Sequence, residues 1–256
     1  MKFEVNSFYY FPTEWGNSSG SIPVYVDEFI LKVERKGIAL LVEPRSIYPR
    51  VYDFVKEKYD EFSYVFTHDE ELLTQIPNAK LLLYGTYSVE PQEKSKAVSM
   101  ICSNKDLCEG HRARRMVANS LRDKIATFGE FDGGEWVSDL GTIYRPYRFN
   151  VAMENYRGGY YFTEKVCNCF ASKAIPIYYG SPHIGEYFNA DGIIQATTPE
   201  EVIRLTEELL KNDIEAEYDK RRDAIIENFR RVKKFRDWKE LFLNTYGVML
   251  EEGIKD

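Results

Sequence analysis

The sequence is poor in the residues that build metal centres and disulfide frameworks. Its 256 residues hold four cysteines and three histidines. Neither Cys102 with Cys108 nor Cys167 with Cys169 has the spacing of a zinc-ribbon pair. His68, His111 and His183 lie far apart, and none belongs to an HExxH string, so no structural metal is predicted. With no disulfide pattern, reduced thiols of the cytosolic kind are expected. Positive charge is also in deficit. A formal net charge of −7 excludes a general nucleic-acid or anionic-membrane binder, so any phosphate site must be local. Met1-Lys2-Phe3-Glu4 opens no charged region followed by a long apolar run, and no long apolar run occurs elsewhere. The expectation is a cytoplasmic protein with no signal peptide and no membrane span, in which the Asn17-Ser18-Ser19 sequon has no role. Internal repeats and low-complexity segments are absent as well.

What is present is enough to bury a core: 44% of the residues are hydrophobic and 29% charged, with 19 Tyr and 16 Phe. Short apolar runs alternate with helical periodicity, the pattern of an α/β protein. Ile38 to Val42 reads as a buried parallel strand that stops at Glu43-Pro44. A helix over Tyr48 to Tyr59, a strand over Tyr64 to Phe66, a short helix over Asp69 to Gln75 and a strand over Lys80 to Tyr84 follow. The polar stretch Glu90 to Lys96 is a candidate linker. A second series then begins, with strands over Ala97 to Cys102, Phe149 to Met153, Ala174 to Tyr179 and Gly192 to Gln195. Its predicted helices cover Gly110 to Lys124, Thr163 to Ser172, Pro199 to Asn212, Ile214 to Lys233 and Asp237 to Leu250. The expected organisation is an N-terminal α/β domain over residues 1–92, a second over 97–235 and a terminal helix over 236–256. Open parallel sheets bind ligands outside the carboxyl ends of their strands, so the residues there must carry any function.

The most informative of these ends lies between Tyr147 and Lys165. A strand closes on Glu154-Asn155, Gly158-Gly159 follow, and a helix opens with Thr163 as a plausible N-cap. A helix N-terminus with Lys165 in its first turn makes a natural diphosphate seat. The spacing of Tyr161, Glu164 and Lys165 would group them on one helical turn. Two readings of Glu164 stay open. It accepts hydrogen bonds from sugar hydroxyls and faces an oxocarbenium-like charge, or it is a favourable acid at a helix start.

These motifs carry a resemblance. Glu154-Asn155, then Tyr161-Phe162-Thr163-Glu164-Lys165, then Pro176-Ile177-Tyr178-Tyr179-Gly180-Ser181-Pro182 resemble, in order and spacing, the signature of family 10 fucosyltransferases, with Phe162 in place of the usual valine. The likeness is strongest over residues 97 to 195, and Tyr64 to Asp69 resembles a further stretch of the family. It implies a GT-B-like fold, two Rossmann-like domains facing a central cleft, with an unusually short N-terminal domain. It implies an inverting transfer of fucose from GDP-fucose to a hydroxyl of a glycan acceptor. Tyr161 would then contact the nucleotide, Glu164 the fucose and Lys165 the phosphates, with Glu154 and Asn155 beside them. Ser103-Asn104 resembles the pair that closes the first strand of the donor domain, which puts Asn104 at the donor. The phosphate-binding arginine would be Arg114, with Arg112 and Arg115 as rivals in the same string. The base that takes the acceptor's proton would be Glu43, whose place at a buried strand end suits a raised proton affinity. No Asp-X-Asp pattern calls for a metal, so no cofactor beyond the donor substrate is expected.

The same architecture serves a second reading, another nucleotide-activated deoxysugar as donor, and a third, a carbohydrate- or nucleotide-binding protein without catalysis. The basic, aromatic stretch Phe229 to Phe242 admits weak peripheral contact with a membrane surface or a terminal helix packed back on the fold. Its mixed charge favours the helix.

Overall fold

A computed structural model of the chain describes residues 2–6 and 21–253. The Asn17 sequon and the chain's last residues lie outside them. The described residues form two compact units.

The first unit comprises residues 1–84, Gly158–Tyr161 and Asp237–Asp256. Its sheet runs β1 (Lys2–Asn6), β2 (Ser21–Val26), β3 (Gly37–Leu40), β4 (Phe62–Thr67) and β5 (Ala79–Leu81), all parallel and adjacent in chain order. Alternation sorts its side chains onto two faces. Tyr25, Ala39, Leu41 and Val65 pack against Val51, Tyr52 and Val55 of helix α1 (Pro49–Lys58). Helix α2 (Glu70–Gln75) is capped by Asp69, whose Oδ1 accepts the Leu72 amide at 3.0 Å.

The second unit comprises Gly85–Arg157 and Phe162–Arg236. Its strands are β6 (Lys96–Ile101), β7 (Ala126–Phe128), β8 (Tyr147–Met153), β9 (Ile175–Tyr179) and β10 (Ile194–Gln195). The order β10-β9-β8-β6-β7 is parallel throughout and reverses between β6 and β8. That reversal is a topological switch point, where the loops leaving two neighbouring strands part and open a crevice. The helices are α3 (Glu109–Leu121), α4 (Gly141–Tyr144), α5 (Glu164–Ala171), α6 (Ile184–Tyr187), α7 (Pro199–Leu209), α8 (Ile214–Asp219) and α9 (Arg222–Arg231). One face of the sheet (Val98, Met100, Phe149, Val151) is covered by apolar residues of α3 and α7, among them Val117, Leu121 and Val202. On the other face Ser99 and Asn150 are buried, and they satisfy each other. Asn150 Nδ2 donates to Ser99 Oγ at 2.8 Å, and Ser99 Oγ donates to the Ile143 carbonyl at 2.6 Å.

Helix α10 (Trp238–Gly253) belongs to the first unit, where Trp238, Phe242 and Leu250 pack against Val24, Ile38 and Phe66 on the second face of its sheet. In the stretch from Phe229 to Phe242, Val232, Phe235, Trp238 and Phe242 are buried, while Lys233, Lys234 and Arg236 are exposed. No helix among the described residues is long and apolar enough to cross a membrane.

Candidate active site

A cavity of about 240 Å³ opens in the second unit at the reversal of strand order. Ile101 and Ser103 line it from the end of β6, and Val151, Met153 and Asn155 from the end of β8. Arg114 enters from α3, and Glu164 and Lys165 from the first turn of α5.

Arg114 is held rigidly. Its Nε and Nη2 donate to the Met153 carbonyl at 3.1 and 2.7 Å, and Nη2 donates to Asn155 Oδ1 at 2.8 Å. The helix can come this close because Gly110 has no side chain: a Cβ there would stand 2.0 Å from the Asn155 carbonyl oxygen. The other two arginines of the string point elsewhere. Arg112 and Arg115 pair with Asp106 on the surface, outside this cavity.

The first turn of α5 is built on Glu154. That carboxylate is fully buried, and its two oxygens accept the Thr163 amide at 2.9 Å and the Thr163 hydroxyl at 2.7 Å. Burial raises its proton affinity, against the pull of the Lys165 ammonium. Thr163 caps the helix, with its Oγ1 accepting the Lys165 amide at 3.4 Å. Lys165 Nζ donates to Glu164 Oε1 at 2.9 Å and lies 3.8 Å from Glu154 Oε2. Burial disfavours the lysine's charge, yet the two carboxylates outweigh it and its pKa is raised. Burial likewise pushes Glu164 up, but Lys165 and the hydrogen bonds of the turn prevail and hold it below the ordinary carboxylate value. Glu164 keeps 42% of its side chain exposed, so an ionised carboxylate stands open at the cavity beside a lysine.

His111 registers the local field. It is buried on the cavity wall, its Nδ1 accepts the Leu107 amide at 3.1 Å, and its pKa is pushed down to about 4. Burial is the largest cause, followed by the charges of Arg114, Lys105 and Lys165. Three cations, Lys105, Arg114 and Lys165, thus meet at one cavity of a protein whose net charge is negative. The far wall carries Glu130, Leu140, Tyr144 and Trp136, the last 77% exposed. Tyr144 is fixed from behind by Lys94, whose Nζ donates to the Tyr144 and Arg145 carbonyls at 3.0 and 2.9 Å.

Arg114, Asn155, Glu164 and Lys165 therefore meet at one cavity, and three of the expected donor residues take other places. Glu154 stands behind the wall as the support of Thr163. Asn104 is exposed and outside the lining, while Ser103 and Lys105 on either side of it line the cavity. Tyr161 does not share a helical turn with Glu164 and Lys165, because α5 begins at Glu164 and Tyr161 precedes the cap. Its buried ring belongs to the first unit and packs on His68 at 4.7 Å. Gly159 explains the detour. At φ +51° it brings the chain so near the His68 carbonyl that a Cβ would stand 2.3 Å from that oxygen, and the next amide, of Tyr160, donates to it at 2.9 Å. The close approach that the glycines permit is to His68. Phe162, the departure from the usual valine, fills an aromatic cluster with Phe235 and Phe188 at 5.3 and 5.9 Å.

Glu43 lies in the first unit, just beyond β3. Its amide donates to Asp27 Oδ1 at 3.1 Å, and its carbonyl accepts the Tyr52 hydroxyl at 2.8 Å. Tyr52 Oη lies 3.3 Å from His68 Nε2. Among the described residues, no group of three or more His, Cys, Asp or Glu is gathered as a metal-ligand set.

The C-terminal region of glycosyltransferase family 10 (fucosyltransferase) matches residues 91–241, more than half of the chain. The chain belongs to glycosyltransferase family 10. A segment of 48 residues, 19% of this chain, is 42% identical to the α-(1,3)-fucosyltransferase FucT of Helicobacter pylori, and the match spans a tenth (10%) of that enzyme's length. Among solved structures, an α1,3-fucosyltransferase with GDP superposes with a TM-score of 0.57 at 18% identity, covering 90% of this chain and 77% of that one. The pneumococcal O-GlcNAc transferase GtfA, in complex with UDP and GlcNAc, gives 0.58 at 11% identity over 91% of this chain and 57% of its own. TarM gives 0.57 at 11% identity, over 89% and 54%. At such identities the likeness is one of fold, and that fold is GT-B.

Proposed function

We propose that this family 10 member is an inverting fucosyltransferase that transfers fucose from GDP-fucose to a hydroxyl of a glycan acceptor. The observation that carries the reading is the meeting of Arg114, Lys165 and the N-terminus of α5 around one cavity, with the Glu164 carboxylate open beside them. The cations and the helix terminus suit a diphosphate, and they stabilise the charge that builds on it as the glycosidic C–O bond breaks. Glu164 suits the sugar ring: ionised, it accepts hydroxyl hydrogen bonds and opposes the positive charge developing at the anomeric carbon. Glu43 takes the proton of the acceptor hydroxyl as its oxygen bonds to that carbon, and GDP leaves. The first unit then serves the acceptor and the second the donor. In this reading Arg114, Lys105 and Lys165 neutralise the diphosphate and no divalent ion is required.

The test is transfer from GDP-fucose to a panel of glycans in EDTA, with UDP-, dTDP- and CMP-activated sugars as competitors and the product's anomeric configuration read by NMR. Turnover of another nucleotide sugar in preference to GDP-fucose would refute the donor, and retention of configuration would refute the inverting mechanism.

A further inference from the structure

Of the buried acids in the first unit, Asp27 has no part in the reaction above or in capping a helix. Asp27 follows β2 directly and opens the 3-10 helix Asp27–Lys32. It is only 4% exposed, and its φ of +51° lies in the left-handed region, where a residue with a side chain is strained. Its Oδ1 accepts two consecutive amides, from Val42 at 2.8 Å and Glu43 at 3.1 Å. Its Oδ2 is buried and has no hydrogen-bond partner among the described residues. Beyond β3 the Leu41 amide still pairs to β4, donating to the Phe66 carbonyl at 2.9 Å. The next two amides go to Asp27, and the Glu43 carbonyl goes to the Tyr52 hydroxyl. Side chains thus hold the peptide of Glu43 where the sheet has stopped doing so. Strain and desolvation of this order persist only where the surroundings over-determine them, and such places cluster at functional sites.

We propose that Asp27 is a positioning residue for the transfer, its carboxylate taking over from the sheet beyond β3 and fixing the direction in which Glu43 projects. This rests on the reading of Glu43 as the base. A pH dependence follows. Burial pushes the Asp27 carboxyl up to about 7 against its two amide bonds, with smaller upward contributions from the charges of Glu43 and Glu28. The titratable groups facing it are Glu28 on its own helix, Glu43 beyond β3 and Tyr48 at the start of α1. An ionised carboxylate accepts amides more strongly than a neutral acid, so the hold on Glu43 tightens as pH rises through neutrality.

The test compares Asp27→Gly, Asp27→Asn and Glu43→Gln in the full chain, by steady-state transfer and by GDP affinity. Glycine suits the left-handed backbone and removes the acceptor; asparagine suits it and keeps an acceptor without the titration. Asp27→Gly is expected to lose about 10–100-fold in kcat, the effect of a misplaced catalytic group, with donor KM and GDP affinity nearly unchanged. The wild type is expected to show a rise of kcat around pH 7, and Asp27→Asn should recover most of the loss while abolishing that rise. Wild-type kcat in Asp27→Gly overturns the proposal. Should Asp27→Gly not fold, persistence of the rise around neutrality in Asp27→Asn overturns it. Full turnover in Glu43→Gln sinks the base assignment and with it the purpose given to Asp27. An inactive Glu43→Gln beside a fully active Asp27→Gly sinks the Asp27 proposal alone.

Discussion

Arg114 offers the sharpest test of the donor cavity, because its surroundings permit two effects to be separated. Arg114→Ala removes the guanidinium that satisfies the Met153 carbonyl and Asn155 Oδ1, both at the end of β8. Leaving the buried Met153 carbonyl without these donors costs about 1–3 kcal/mol of stability, roughly 3–10 °C in Tm for a chain of this size. Under the proposed function the variant also loses one of the cations that would face the diphosphate. A charge-assisted contact in a shielded site is worth about 2–3 kcal/mol, so the GDP dissociation constant should rise about 30–150-fold. Isothermal titration in EDTA, well below the variant's Tm, measures the second effect without the first. Arg112→Ala is the matched control, since Arg112 is exposed and paired with Asp106. It should leave both quantities nearly unchanged. A normal GDP affinity in Arg114→Ala, or an equal loss in Arg112→Ala, would refute the assignment of the phosphate site.

Three further outcomes are expected. Glu43→Gln should keep near-normal GDP affinity, since the donor cavity lies in the other unit, and lose about 10²–10⁴-fold in turnover; retention of most of the turnover in a glycan assay would displace the base. GDP at about a hundred times its dissociation constant should stabilise the protein in EDTA by roughly 2.7 kcal/mol, and a melting shift that appears only when manganese is added would show the cation set to be insufficient. His68 is buried, and burial is the chief cause that pushes its pKa down to about 4 from the ordinary 6.5. Unfolded chains therefore take up its proton first as pH falls from 6.5 to 4, and stability is lost across that window. Urea titrations at several pH values should show this loss reduced by about 2–3 kcal/mol in His68→Gln; Asp27, whose raised pKa acts in the opposite direction, is common to both proteins and cancels. Equal pH slopes for the two would refute it.

The sequence made the parallel strands legible where they are continuous apolar runs, as at Ile38–Val42 and Ala174–Tyr179, because a strand buried on both faces has no reason to alternate. It concealed β2 and β7, the latter having only three residues. The meeting of residues at one cavity was legible where they sit on regular elements, as Arg114 does on α3 and Glu164 and Lys165 do on α5. It was misread where one residue of register decides direction. Ser103 and Lys105 face the cavity and Asn104 between them does not. Glu154 looked like a ligand residue because it ends a strand, but Thr163 comes back to claim both its oxygens, a tertiary contact that spacing does not announce. Tyr161 followed helical counting until the cap at Thr163 put it outside the helix. Trp136 and Asp27 carry no periodic signal at all. One lies in a loop and the other in a short 3-10 helix, and only the fold gives them neighbours.

The chain passes from one unit to the other at Tyr84–Gly85, returns for Gly158–Tyr161, and returns again at Asp237. This threading has a consequence for anyone who would dissect or recombine the enzyme. A fragment ending near residue 84 would lack Trp238, Phe242 and Leu250, and with them the cover of Val24, Ile38 and Phe66. It would leave a sheet face bare to water and prone to aggregate. A chimaera that exchanges the second unit needs four junctions, and the middle two must keep the four residues Gly158–Tyr161 intact between them, with glycine kept at 159. Side chains lining the cavity can therefore be exchanged far more readily than whole segments of this chain.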